Sequence, residues 1–209
     1  MGDFVLIRPR DDAASQQASD WANDLTNILT SNGHSVVVDV DDTTPPDSAN
    51  IVAAVGKTAD VVFYFGHGDE TSWLTSGGST LSASTASGIV AGAVVSVACK
   101  TGCSFGPSAI TAGVRSWLGF TIKVPVIAPH KTRDPIGEAI VNGIAQLATH
   151  GTMQMACDEI AALLDQVVTD YDSGGKYSSH PGASFGYFAA MALRDHVVVH
   201  GNQSLKPLP

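Results

Sequence analysis

Basic residues are scarce in this chain. Eleven Lys and Arg stand against twenty Asp and Glu over 209 residues, a formal net charge of −9. No run of Lys or Arg occurs, so the electrostatic footprint of a nucleic-acid binder is missing. Cysteine is rare as well. Cys99, Cys103 and Cys157 make an odd set without framework spacing, which excludes a disulfide-stapled secreted scaffold and fits a reducing compartment. No apolar stretch reaches the roughly 20 residues of a membrane span. The opening MGDFVLIRPRDD holds only a short apolar run between charges, too short for a secretory leader. Leu6 stands where an N-myristoylation motif has Ser or Thr. A phosphate-binding loop is absent, and Gly66-x-Gly68 lacks the third glycine of a dinucleotide fingerprint. The expectation is a soluble, cytoplasmic protein without a cofactor and with neither a membrane nor a nucleic-acid partner.

What is present is an apolar fraction of 44%, enough for a real core, expected to form one domain over residues 1–209. Apolar runs at 4–7, 36–40, 59–65, 93–98, 117–124 and 197–199 read as strands. Between them lie helical patterns. Trp21, Leu25, Ile28 and Leu29 share a face and end at Asn32-Gly33. Residues 47–55 form a short helix closed by Gly56. A further helix is expected over 108–112. Asp134-Pro135 supplies an N-cap and a first-turn proline, ahead of Ile136, Ile140, Ile144 and Leu147 on one face. Met153, Ile160, Leu164 and Val167 mark another amphipathic helix. Residues 71–87, rich in Ser, Thr and Gly, read as a loop or hairpin beside a short helix, and 172–184 as a loop. Strand–helix alternation predicts an α/β fold: a three-layer αβα sandwich with a mainly parallel sheet. Sites in such sheets gather at the carboxyl ends of the strands.

Two apolar strands end there in reactive residues. ADVVFYFGHGD delivers His67, and GAVVSVACKTG delivers Cys99. Side by side and parallel, both would emerge at one edge, and residues 69–92 exceed the dozen or so that a parallel return requires. An imidazole beside a thiol assists its deprotonation or protonates a leaving amine. Gly68, without a Cβ, admits a close approach of its N–H to a substrate. With the N–H of Cys99 it forms a candidate oxyanion hole.

These residues carry a resemblance. Tyr64-Phe65-Gly66-His67-Gly68 resembles the histidine motif of the caspase-like cysteine peptidases, the group of caspases, metacaspases, separases and gingipains. Ser96-Val97-Ala98-Cys99-Lys100-Thr101-Gly102 is similar to the cysteine motif of its CHAT branch. Ala112-Gly113-Val114-Arg115-Ser116-Trp117 and the closing AMALRDHVVVHGN resemble later elements of that fold. The resemblance implies a caspase-like fold and a cysteine endopeptidase working through a Cys99–His67 dyad on a polypeptide substrate. It also implies a regulated effector of the prokaryotic kind, controlled by a separate regulatory protein. Two positions depart from the pattern. Val97 replaces the acidic residue by which metacaspases read a basic P1 side chain, and residues 123–126 (KVPV) lack the usual tryptophan.

The P1 pocket of such enzymes draws on the loop after the first strand. Here that loop offers Arg8 and Arg10, suited to an acidic P1, and Asp11 and Asp12, suited to a basic one; Asp69 beside His67 also favours a basic substrate. The residues leave the choice open. A binding module with little turnover and a thiol-dependent amidase or acyltransferase on small molecules remain alternatives. A zinc site from His67, Cys99 and Cys103 lacks a fourth ligand and the usual spacings, so no metal is expected. Gly182-Ala183-Ser184-Phe185-Gly186 matches a serine nucleophile elbow, but no apolar strand precedes it, which that elbow requires.

Overall fold

The computed structural model describes residues 1–41, 47–126 and 134–208. In chain order the elements are β1 (Asp3–Ile7), α1 (Ala13–Ser31), β2 (Ser35–Val40), α2 (Ser48–Val55), β3 (Val61–Phe65), β4 (His67–Gly68), β5 (Ser72–Thr75), β6 (Gly78–Ser82) and a 3₁₀ turn over Ala83–Gly88. Then come β7 (Ala93–Val97), α3 (Phe105–Thr111), β8 (Ser116–Phe120), α4 (Pro135–Ile144), a 3₁₀ turn over Ala145–Thr149, α5 (Met153–Tyr171), α6 (Ala183–His196) and β9 (Val197–Gly201). Six strands form one sheet in the order β2-β1-β3-β7-β8-β9. All neighbours run parallel except β9, which is antiparallel to β8.

The central strands are buried on both faces, which explains their largely apolar runs: VVFYF in β3 and AVVSV in β7, with Ser96 the one polar side chain of β7. Successive side chains alternate between two cores. Phe4, Leu6, Phe63 and Val95 point into a core closed by α1, α4, α5 and α6. Val5, Ile7, Tyr64 and Val94 face a second core under α2, α3 and the β5–β6 hairpin. The expected three-layer, mainly parallel architecture is therefore what the chain adopts.

Local chemistry sets the helix ends. Asp12 caps α1 in a reciprocal box with Ser15. Asp134 caps α4, accepting from Gly137 N at 3.1 Å, with Pro135 in the first turn. His150, with φ 64°, ends the turn after α4 in the left-handed region. Two boundaries differ from the sequence expectation. α3 begins at Phe105 rather than at 108, because Pro107 lies in the first turn, where its missing N–H has no helical partner to lose. β8 ends at Phe120 rather than continuing to 124. Past Phe120 the apolar residues Val124 and Val126 line a cleft instead of a sheet. Among the described residues no helix is long and apolar enough to cross a membrane.

Candidate active site

β3 and β7 pair in parallel with Phe65 opposite Val97. The loops that follow them therefore leave the same edge of the sheet, one carrying His67 and the other Cys99. Several contacts hold these loops together. Gly66 N donates to Val97 O at 3.2 Å. The carbonyl of Glu70 accepts from Ser104 N (3.2 Å) and Phe105 N (2.8 Å), and its carboxylate pairs with Lys100 Nζ at 3.0 Å. At Gly68 a Cβ would lie 2.7 Å from Thr101 Cγ2 and 3.2 Å from Cys99 O, so only glycine permits this approach.

Beneath the loops runs a buried polar chain. Trp73 Nε1 donates to Ser96 Oγ at 2.9 Å, and Ser96 Oγ lies 3.0 Å from Thr101 Oγ1. Tyr64 Oη contacts the carbonyls of His67 (2.7 Å) and Leu74 (2.9 Å), fixing the backbone at His67; burial pushes its phenol pKa up, so it stays a donor. Immediately after Cys99, Lys100 takes φ 58°, a left-handed conformation that is costly for a non-glycine residue. Lys100 N donates to Ile122 O at 2.8 Å, and its own carbonyl accepts from Cys103 N at 2.9 Å, which together pin that turn.

The electrostatic partner of His67 comes from α1. His67 Nε2 lies 3.0 Å from Asp12 Oδ2. An ionised carboxylate only accepts, so Nε2 carries the proton, and in the neutral ring Nδ1 holds the free lone pair. The Ser15 amide above all holds the Asp12 carboxyl below its ordinary range, opposed by burial and helped by the His67 ring. Cys99 is half-buried, and its Sγ accepts from Val124 N at 3.4 Å. Both His67 and Cys99 line a cleft of about 360 Å³, together with Trp21 and Val97. His67 also borders a second depression of about 350 Å³ shared with Asp11, Asp12 and Gly68.

The remaining sequence candidates go elsewhere. Arg8 makes a bidentate pair with Asp39 (2.9 and 2.7 Å), reaches Asp41 at 3.1 Å and Asn23 at 2.7 Å, and lines neither cleft. Arg10 is half-buried and also lines neither. Asp11 accepts from Ser76 N and Oγ at the edge of the second depression. Asp69 shapes the turn after β4: one of its oxygens accepts from the amides of Thr71 and Ser72, which hold its pKa down against burial. Cys103 is exposed, and its thiol donates to Thr121 O at 3.2 Å. Cys157 is buried on α5, and burial pushes its thiol up to about 11. Ser184 sits in the first turn of α6, not at the end of a strand. Among the described residues no three His, Cys, Asp or Glu side chains gather as metal ligands. The Asp12–His67 pair was not readable from the sequence: Asp-x-x-Ser marks Asp12 as a helix cap, but nothing local joins it to a residue 55 positions on.

No protein-family model matches the chain, and no curated protein sequence does. Solved structures that share its fold include the Arg-specific cysteine proteinase gingipain R, with a TM-score of 0.62 and 16% identity over 97% of this chain. A second is the complex of the Porphyromonas gingivalis RgpB pro- and mature domains, with a TM-score of 0.62 and 15% identity over 97% of this chain. This chain spans 46% and 48% of the length of those chains. The mixed, mostly parallel six-stranded sheet flanked by helices is thus a caspase-like fold of the gingipain type.

Proposed function

We propose that the chain is a cysteine endopeptidase with Cys99 as nucleophile and His67 as general acid and base. The observation that carries this reading is that both residues leave adjacent parallel strands at one edge and line one cleft, with His67 oriented by Asp12. The chemistry then follows from the groups present. Nδ1 of His67 takes the thiol proton, and the Cys99 thiolate attacks the peptide carbonyl carbon. The N–H groups of Gly68 and Cys99 stabilise the tetrahedral oxyanion; one such donor is worth about 3–4 kcal/mol. The imidazolium returns its proton to the leaving amine. Water then attacks the thioester, with His67 as base, and the carboxylic product leaves the free thiol. Asp12 holds the reactive tautomer and balances the positive charge on the ring.

The caspase-like fold shared with a cysteine proteinase supports the same reading. A polypeptide is the corresponding substrate, and control by a separate regulatory protein belongs to the same proposal. Replacing Cys99 by Ala removes the nucleophile and little packing, since the side chain is only half-buried. Cys99→Ala is expected to abolish peptide cleavage while leaving the melting temperature nearly unchanged. Cleavage retained at the wild-type rate contradicts the assignment.

A further inference from the structure

The cleft beside Cys99 differs in chemistry from what the loop charges suggested. We infer that it is the P1 subsite and that it takes an uncharged apolar side chain of the size of Leu, Met or Phe. This inference rests on the peptidase reading and specifies the substrate class of the same site. Ala14, Ala18 and Trp21 of α1, Val97 at the end of β7, and Val124 and Val126 beyond β8 give the cleft its lining. None of the described lining residues is acidic.

Two of the polar side chains in the lining, Ser15 and Trp21, are already committed. Ser15 Oγ accepts from Asp12 N at 2.9 Å and lies 3.1 Å from both the carbonyl and the carboxylate of Asp12. Trp21 Nε1 donates to the Asp134 carboxylate at 2.9 Å, so its polar edge is satisfied. Lys123 also borders the cleft, but it is exposed.

An arginyl or lysyl side chain entering here would give up hydration for no carboxylate, which burial penalises. Asp11 and Asp12 border the other depression, and Asp69 is held in its turn. An aspartyl side chain would find no guanidinium, because Arg8 is occupied by Asp39 and Asp41, and the one described cation in the lining, Lys123, is exposed to water, where an ion pair gains little. An apolar side chain meets an apolar lining and loses nothing. Ala14 and Ala18, one helical turn apart, share a face of α1 and fill little of the space. A volume of about 360 Å³ lies within the ordinary range for ligand pockets.

The test is a set of peptides differing only at P1, measured as kcat/KM on the full chain and on Ala14→Glu. Position 14 lies in the first turn of α1, where a carboxylate suits the helix dipole. The wild type is expected to cleave leucyl, methionyl or phenylalanyl peptides about tenfold or more faster than alanyl, arginyl and aspartyl ones. Ala14→Glu is expected to shift the arginyl-to-leucyl ratio toward arginine by a similar factor. Preference of the wild type for arginyl or aspartyl peptides, or an unchanged ratio in the variant, overturns the apolar subsite and leaves the peptidase reading standing. No turnover of any peptide overturns the peptidase reading, and the subsite with it.

Discussion

Asp12 carries two duties with one carboxylate. Oδ1 caps α1 by accepting from Ser15 N at 2.9 Å, while the Asp12 amide donates in turn to Ser15 Oγ, and Oδ2 accepts from His67 Nε2. Its carboxyl pKa lies below the ordinary value in the folded chain. Its contribution to stability is therefore complete above the unfolded carboxylate pKa and is lost as acid takes the pH down through the folded value. Two substitutions separate the duties. Asn caps a helix as well as Asp but carries no charge for the ring. Asp12→Asn is expected to lower the melting temperature only slightly and to lower kcat about tenfold to a hundredfold, less than the 10²–10⁴ of general acid–base catalysis itself. Asp12→Ala loses the cap as well, at about 1 kcal/mol in chemical denaturation. Equal kcat in Asp12→Asn and wild type would remove His67 orientation from the account. At this scale the sequence was only partly legible. His67, Gly68 and Cys99 could be read because each follows an apolar strand. The Asp12–His67 contact joins residues 55 positions apart, and Arg8 is drawn away by Asp39 because β1 pairs with β2. Neither pairing leaves a local trace in the sequence.

At the scale of elements, the two loops are joined from below as well as across. Ser96 on β7 sits between Trp73 of β5 and Thr101 of the loop after Cys99, fully buried. Trp73 in turn stacks on Tyr64 of β3, with ring centroids 4.3 Å apart. A small antiparallel sheet, a central strand and the loop that carries Cys99 are thus tied through one hydroxyl. Ser96→Ala orphans the buried indole N–H and is expected to destabilise the fold by about 1–3 kcal/mol, read by urea denaturation. Ser96→Thr or →Cys, which keep a polar atom there, should lose less. Equal stability of the alanine variant would mean that the chain of contacts has no structural role. The strands themselves were legible because burial on both faces leaves almost only apolar residues in β3 and β7, Ser96 being the polar exception in β7. The end of β8 was not, because a hydrophobic residue looks the same whether it faces a sheet neighbour or a cleft. His67 and Gly68 likewise pair with Leu74 and Trp73 as a two-residue strand too short for any periodicity to show.

On the scale of the whole molecule, the parallel order β1-β3-β7 brings three segments distant in sequence to one edge. The loop after β1 leads into α1 and its Asp12, the loop after β3 supplies His67, and the loop after β7 supplies Cys99. The same topology distributes three thiols over three environments. Cys157 lies in the core with its thiol pushed up to about 11, which keeps it protonated at neutral pH. Cys103 is exposed without an imidazole among its hydrogen-bonding partners, and Cys99 shares the cleft with His67. Alkylation by a peptidyl acyloxymethyl ketone, mapped by mass spectrometry on the intact chain at neutral pH, distinguishes them most directly. One adduct on Cys99 is predicted, retained in Cys103→Ala and lost in His67→Ala. An adduct on Cys103 instead, or labelling of Cys99 that is indifferent to His67, would contradict the account.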